Sequence, residues 1–167
     1  MKFLIWNSKG ATSKGFVAAL KSLKSSYRLD VVAILEPRVS GVVADRIIRS
    51  WGFRNSRRVE AEGFSGGIWL LWDSDEVQVE NVVKDEQFIH CKVRDGEEEC
   101  LLIAVYGSPN EQKRQHLWGK LKMLVDKINE PWMVVGDFND IKSPLEQKGG
   151  GRVNEARCRR FAEWIGM

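Results

Sequence analysis

Short apolar runs alternate with longer amphipathic segments along the 167 residues. Runs such as Phe3–Trp6, Val31–Leu35 and Trp132–Val135 are too short for helices and predict strands that are buried on both faces. Elsewhere apolar residues recur every three or four positions and predict one face of a helix, as in Phe16, Leu20, Leu23 and Tyr27. The alternation of the two patterns predicts an α/β fold.

Turn and cap signals mark the boundaries between these segments. Asp95-Gly96 separates two strand-like runs and predicts a hairpin, because Gly accepts the positive φ of a tight turn. Ser108-Pro109-Asn110-Glu111 predicts a capping box with Pro109 as the first helical residue, and Asn154 is predicted to cap the last helix. No linker or repeat interrupts the chain, so residues 1–167 are predicted to form a single domain.

Composition narrows the class of protein. The chain is 43% hydrophobic with seven Trp and seven Phe, which excludes disorder, and its net charge of +3 permits a polyanionic partner without requiring one. Three Cys without a CxxC pair indicate neither a disulfide framework nor a structural zinc site. No apolar run approaches the ~20 residues of a membrane span. We therefore expect a soluble, intracellular protein.

Polar residues stand at the ends of four predicted strands. In open α/β sheets, ligands bind where loops leave the carboxyl ends of the strands, so we expect these side chains to converge on one pocket. Carboxylates, amides and a phenol without His or Cys suit a hard cation such as Mg²⁺, as metal-assisted phosphoester hydrolysis requires. The residues are Asn7, Glu36, Tyr106, Asp137 and Asn139.

Each of these residues also has a purely structural interpretation. Asn7 could cap a loop, Glu36 could simply end a strand, and Tyr106 could pack at a sheet edge. Asp137 and Asn139 could form a local Asx turn. No single residue indicates a functional site, but the occurrence of polar residues at the ends of four predicted strands favours one. The remaining basic residues near the C-terminus are expected on a solvated helix face: Arg152, Arg157, Arg159 and Arg160.

The ordered motifs resemble the endonuclease/exonuclease/phosphatase superfamily. They are Trp6–Gly10, Leu35–Arg38, Val105–Pro109 and Gly136–Asn139. Within that superfamily the chain is most similar to the endonuclease domain of plant LINE-type (non-LTR) retrotransposons. The segments that carry this finer likeness are Glu36–Arg38 with Ser40-Gly41, Gly63–Gly67, Tyr106–Pro109, Leu117-Trp118 and Pro131-Trp132.

The resemblance implies a four-layer α/β/β/α sandwich and a Mg²⁺-dependent phosphodiester hydrolase that nicks DNA, with Mn²⁺ as a substitute metal. Glu36 would be the metal ligand, and Asp137 would orient or deprotonate the attacking water. Asn139 would hold that water or the phosphate, and Asn7 would contact the phosphate or position Asp137. Tyr106 would donate to a phosphate oxygen. A monomer acting on DNA in the nucleus, without membrane association, is the expected setting.

Two departures from the family pattern qualify this expectation. The family domain continues with further strands and a Ser-Asp-His-type motif that contacts the scissile phosphate, and these 167 residues contain no such motif. Lys9 also stands where some relatives have an acidic metal ligand. We therefore expect an incomplete domain, without its C-terminal strands, whose activity is weak unless another chain complements it. The alternatives are an inactive, DNA-binding remnant and a phosphatase of small phosphoesters.

Overall fold

Two sheets and four α-helices account for the regular structure in the described residues of the computed structural model, which are 1–63, 65–73, 77–149, 151 and 153–166. This confirms the predicted α/β class. None of the helices in those ranges is long and apolar enough to cross a membrane. The elements in chain order are β1 (Phe3–Asn7), α1 (Lys14–Tyr27), β2 (Val31–Leu35), α2 (Gly41–Ser50), β3 (Asn55–Val59), β4 (Ile68–Trp72), β5 (Val77–Asp85), β6 (Phe88–Asp95), β7 (Glu98–Tyr106), α3 (Glu111–Val125), β8 (Trp132–Asp137), a short 3₁₀ turn (Pro144–Glu146) and α4 (Glu155–Ile165).

The chain divides into two compact units. The first contains Met1–Tyr106 and Asn129–Asp137, and therefore holds both sheets together with α1 and α2. The second contains Gly107–Ile128 and Phe138–Met167, with α3 and α4. That residues 1–167 form a single domain stays a prediction.

Each sheet of the first unit contains one parallel pair of strands. The first sheet has the order β1-β2-β4-β3, in which β1 and β2 are parallel and the other neighbours are antiparallel. The second has the order β5-β6-β7-β8, with β7 and β8 parallel. Because parallel strands end at the same edge, Asn7 lies opposite Leu35 and Tyr106 lies opposite Asp137. The topology thus sets the predicted site residues in pairs.

Alternation along the strands builds two hydrophobic layers in the first unit. Odd-numbered residues of β2, such as Ala33 and Leu35, pack toward the second sheet, where Cys91 and Leu102 are fully buried. Even-numbered residues pack toward α1 and α2 instead. This period of two is the geometry of a strand whose faces are both covered. The outer layer includes a run of tilted aromatic contacts from Trp6 through Phe16 and Trp51 to Trp69.

Two of the strands predicted to be buried on both faces are edge strands. Residues of β1 are half-buried throughout, and Trp132 at the start of β8 is exposed. The prediction of full burial is wrong for both, because each lies at the end of its sheet with a neighbour on one side only. For β2, between two neighbours, it is confirmed. The strand β3 was not predicted, since Asn55–Val59 is mostly polar.

The hairpin and the last cap are confirmed, but the cap of α3 lies two residues later than predicted. Asp95 pairs with Glu98 across Gly96, and the Asn154 side chain accepts from Arg157 N. At α3, however, the cap is Asn110, whose Oδ1 accepts from Lys113 N at 3.1 Å, and Pro109 precedes it. Asn and Ser are equally good N-cap residues, so the sequence was compatible with a helix that begins after Ser108 or after Asn110.

The cysteines agree with the absence of a disulfide framework. All three are free thiols, and Cys91 is buried between the two sheets. Burial raises the pKa of the Cys91 thiol to about 12, because the thiolate would lose its hydration. Cys91 therefore acts as a small core residue rather than as a nucleophile.

Candidate functional site

The side-chain amide of Asn7 joins the ends of the two sheets. Its Nδ2 donates to Asp137 Oδ2 at 2.6 Å, and its Oδ1 accepts from Lys9 N at 3.0 Å. Asn7 ends β1 and Asp137 ends β8, so the bond links residues 130 positions apart. Because each end of the amide has its own partner, the orientation of the amide is determined, and with it the position of the Asp137 carboxylate.

The Glu36 backbone is held by hydrogen bonds from two sides. Its N–H donates to Gly67 O at 3.0 Å, and its carbonyl accepts from Gly10 N at 2.9 Å and from the Ser8 hydroxyl at 3.1 Å. Glu36 has φ +53°, which is uncommon for a residue with a side chain and more so before a proline such as Pro37. The surrounding bonds maintain this strained conformation, and strained residues cluster at functional sites.

The Gly66-Gly67 pair makes the close approach to this loop possible. Gly67 has φ +88°, and a Cβ there would lie 3.1 Å from both Ala61 N and the Pro37 ring. A Cβ on Gly66 would lie 3.6 Å from the Tyr106 ring. The double glycine is therefore a signal in the sequence for a site that needs close backbone packing.

The Glu36 carboxylate carries an ion pair with Arg38. Arg38 Nε and Nη2 both donate to Glu36 Oε1, at 3.0 and 2.5 Å. The Glu36 side chain is 12% exposed and that of Arg38 is 43% exposed. No sequence argument singled out Arg38 for this contact, although it belongs to the Glu36-Pro37-Arg38 motif.

Tyr106 and Asp137 lie side by side at the ends of β7 and β8. Tyr106 is buried in the core between the sheets, and its N–H donates to Gln87 O at 2.9 Å. Gly136, which precedes Asp137, has φ +148° and lies so close to Val105 that a Cβ would collide with the Val105 carbonyl. The glycine of the Gly-Asp-Phe-Asn motif is thus required to bring the Asp137 strand against β7.

Asn139 belongs to the second unit, in the loop that follows β8. It has φ +47°, and its Nδ2 donates to Gly107 O at 2.7 Å. Gly107 leaves no room for a Cβ, which would collide with the Phe138 carbonyl. The Phe138 ring contacts Trp118, Phe161 and Trp164. An aromatic cluster therefore anchors the loop that carries Asn139.

A buried cluster of charged side chains also holds this loop. Arg114 and Asp140 are 2% and 3% exposed, and their Nε and Oδ2 are 3.3 Å apart. Arg157 Nε lies 2.6 Å from Asp140 Oδ1, and its Nη2 donates to Asn139 O at 3.0 Å. Arg114 Nη1 also donates to the carbonyls of Ser108 and Pro109. The cluster joins α3 and α4 to the loop after β8.

The expectation that the late arginines are solvated is wrong for Arg157, which is only 32% exposed. Asp140 lies 17 residues away and outside the helix pattern, so its contact with Arg157 was not visible in the sequence. Arg159 and Arg160 are exposed, as expected. Arg152 lies outside the described residues.

The structure thus joins part of the predicted set directly. Asn7 contacts Asp137, Tyr106 is the neighbour of Asp137 in the sheet, and main-chain bonds tie the Glu36 loop to the loop after Asn7. Asn139 is placed in the second unit. The catalytic and ligand roles of all five residues stay predictions.

The oxygen donors fit a hard divalent cation. No three residues among His, Cys, Asp and Glu cluster as metal ligands within the described ranges. Mg²⁺ does not need such a cage, because it is commonly held by one or two carboxylates together with water and substrate phosphate. The Glu36 carboxylate forms an ion pair with the Arg38 guanidinium through Oε1, so it binds a cationic group in the structure. Among the described residues, Glu36 Oε2 has no partner of its own.

Several solved structures share the fold of this chain. AP endonuclease LMAP from Leishmania major superposes with a TM-score of 0.73 at 11% identity, covering 98% of this chain and 65% of that one. D. rerio TDP2 complexed with single-strand DNA product gives 0.56 at 14%, covering 82% and 60%. The human Nocturnin catalytic domain with bound sulfate gives 0.55 at 13%, covering 84% and 65%. At these identities the likeness shows the fold alone.

The family follows from a second comparison. The chain belongs to the Endonuclease/Exonuclease/phosphatase family, whose profile matches residues 4–151. Enzymes of this family generally depend on a divalent metal ion. The chain spans 60–65% of the length of the three structures above. No curated protein matches its sequence significantly.

Proposed function

We propose that this chain is a metal-dependent phosphodiester hydrolase of the endonuclease type, which nicks DNA. The observation that carries the proposal is the 2.6 Å hydrogen bond from Asn7 to Asp137, where the ends of the two sheets meet. A general base must be held in a fixed orientation toward the proton that it accepts, and the Asn7 amide holds the Asp137 carboxylate in this way. A role in packing alone would not require the strained backbone found beside it at Glu36 and Lys9.

Asp137 is the residue that orients the attacking water and accepts its proton. Of the two roles that the family resemblance offers for Asn7, the geometry favours positioning, because its Nδ2 is directed to the carboxylate. Tyr106 would supply a hydroxyl to a phosphate oxygen, and Asn139 would hold the water or the phosphate. Glu36 would hold Mg²⁺, or Mn²⁺ in its place, which would stabilise the charge that develops on the phosphate.

DNA is the proposed substrate and the nucleus the proposed location. The motif set that resembles LINE-type retrotransposon endonucleases supports both, and a structural neighbour solved with a single-strand DNA product supports the choice of DNA. We further propose a retrotransposon origin. Weak activity is expected from these 167 residues alone, because the resemblance assigns a phosphate-contacting His to a motif that they do not contain.

A supercoiled-plasmid nicking assay with Mg²⁺ tests this proposal. The variants are Asp137→Asn and the matched control Asp126→Asn, which removes an exposed carboxylate that pairs with Lys122. Nicking by the unchanged chain and by the control, lost with Asp137→Asn and with EDTA, is the expected result.

Two other results would redirect the assignment. Salt-dependent DNA binding without any nicking, from a folded chain, would indicate an inactive DNA-binding domain. Hydrolysis of a small soluble phosphoester with no action on plasmid would indicate a phosphatase.

A further inference from the structure

We infer that Arg38 is a built-in competitor for the divalent cation at Glu36: its guanidinium pairs with the carboxylate and lowers the affinity of that carboxylate for a metal ion. This inference rests on the proposed function, because it concerns the same carboxylate. It adds a regulatory device that neither the fold nor the family assignment implies.

The first observation is the geometry of the pair. Both Nε and Nη2 of Arg38 are directed to the same oxygen of Glu36, at 3.0 and 2.5 Å. A guanidinium usually binds a carboxylate with two parallel bonds to its two oxygens. Here both bonds converge on Oε1, and Oε2 is left without a partner among the described residues. The contact therefore neutralises the carboxylate without enclosing it.

The second observation is the backbone that carries the pair. Residues two apart lie on the same face even in an extended chain, so the spacing of Glu36 and Arg38 already favours a contact. Both have positive φ, +53° and +58°, on either side of Pro37. The loop after β1 fixes this shape through Gly10 N on Glu36 O and Ala11 N on Pro37 O. The fold therefore maintains two strained residues in the turn that carries the ion pair.

The third observation is that Arg38 is free to leave. Its side chain is 43% exposed and has no other hydrogen bond or ion pair with the part of the chain that the structure describes, whereas the Glu36 side chain is 12% exposed. Holding a long, exposed side chain in one geometry costs rotamer entropy, which weakens its ion pair. Of the two side chains, the exposed guanidinium is therefore the one that can be displaced into solvent.

Competition follows from charge. Two cations share one carboxylate only at the expense of their mutual repulsion, so each lowers the affinity of the other. Removing the guanidinium should therefore strengthen metal binding by about three- to tenfold, the range expected for one partly screened charge. Lys at this position keeps the charge but not the planar fork, and should give an intermediate affinity.

Isothermal titration with Mn²⁺ measures this effect without any requirement for activity. The proteins are the unchanged chain, Arg38→Met, Arg38→Lys and Glu36→Gln. The matched control is Arg94→Met, because Arg94 is 40% exposed and pairs with carboxylates on strands away from Glu36. Tighter binding by Arg38→Met, unchanged binding by the control and loss of binding with Glu36→Gln are expected. Equal or weaker binding by Arg38→Met would overturn the inference while leaving Glu36 as a ligand.

The Nε–H signal of Arg38 in a nitrogen-15 NMR spectrum tests the pair in the absence of metal. Substitution Glu36→Gln should shift this signal and speed its exchange with water, and Mg²⁺ should do the same in the unchanged chain. An Arg38 signal that ignores Glu36→Gln would overturn the inference whatever the metal titration shows. A third outcome is an Arg38 signal that responds to Glu36→Gln while the titrations show no metal binding by any of the proteins. That outcome would overturn the role of Glu36 as a metal ligand, and the competition with it.

Discussion

The loop at Glu36 and the loop at Asn139 both carry a predicted site residue with positive φ, but they are stabilised in different ways. Around Glu36 the partners are main-chain atoms of Gly10 and Gly67 together with the Ser8 hydroxyl. Around Asn139 the support includes charged side chains from two helices, the buried Arg114 and the half-buried Arg157. The first loop depends on glycines close in space, and the second on a carboxylate and two guanidinium groups.

This difference determines how each loop should respond to substitution. A main-chain hydrogen bond survives most changes of side chain, so the Glu36 loop is vulnerable only where a glycine or a hydroxyl is needed. A buried ion network fails when one member is removed, because the others remain buried without their partner. We therefore expect the loop at Asn139 to be the more sensitive of the two.

The largest effect is expected for Asp140→Ala. Asp140 forms ion pairs with both Arg114 and Arg157. Its removal leaves two cations uncompensated and should lower the free energy of unfolding by about 3–5 kcal/mol, as measured by urea denaturation. Asp126→Ala, at an exposed helix end, should change it by less than about 0.5 kcal/mol. A smaller loss for Asp140→Ala than for the glycine variant below would contradict the contrast between the loops.

Gly67→Ala should have the next largest effect. The added Cβ would lie 3.1 Å from Ala61 N and from the Pro37 ring, in a residue with φ +88°. Backbone strain and crowding together should lower the free energy of unfolding by about 1–3 kcal/mol. Gly119→Ala is the matched control, because Gly119 lies inside α3 with open space around it. The Gly119→Ala variant should instead raise the free energy of unfolding by about 0.5–1 kcal/mol. If both variants lowered it, the loss in Gly67→Ala could not be assigned to crowding at Gly67.

Ser8→Ala should have a moderate effect. The hydroxyl lies 3.1 Å from both Leu35 O and Glu36 O, so its loss removes support from the strained turn. The expected decrease in the free energy of unfolding is about 1 kcal/mol. Ser50→Ala removes a hydroxyl bond at an exposed helix end and should have a smaller effect. Equal losses in the two variants would indicate that the Ser8 hydroxyl stabilises the chain no more than one ordinary hydrogen bond, although it contacts two carbonyls.

A change of pH should give the smallest effect, through His90 in the first unit. Burial lowers the pKa of His90 below its ordinary 6.5, and a backbone hydrogen bond involving Leu102 partly offsets this. The unfolded chain therefore binds a proton more readily than the folded chain. The His90 contribution to stability is present above pH 6.5 and is lost as the pH falls through the folded-state pKa. Urea denaturation between pH 7.5 and about pH 5 should show that the free energy of unfolding decreases as the pH falls. This pH dependence should be weaker in His90→Gln. An equal pH dependence in the variant would mean that other groups cause it.

Much of the Glu36 loop could be predicted from local signals. Pro37 marks the end of β2, and Gly66-Gly67 marks a place where the backbone must approach another segment closely. The Arg38 contact was not predicted, and neither was the positive φ at Glu36 and Arg38, two residues that carry side chains. The loop at Asn139 was predicted only as a motif. Its support from Arg114 and Arg157 comes from residues 26 and 17 positions away from Asp140, where no periodicity connects them.

The amino-acid sequence by itself determined the α/β class, the helix faces, the hairpin at Gly96 and the family motifs, because each depends on residues close together along the chain. Only the tertiary structure decided that β1 and β8 are edge strands, that Asn7 binds Asp137 and that Arg157 is a partner of Asp140. These features depend on the order of strands in a sheet and on contacts between distant segments. Hydrophobic periodicity records whether a residue is buried, but it does not record which residue lies opposite.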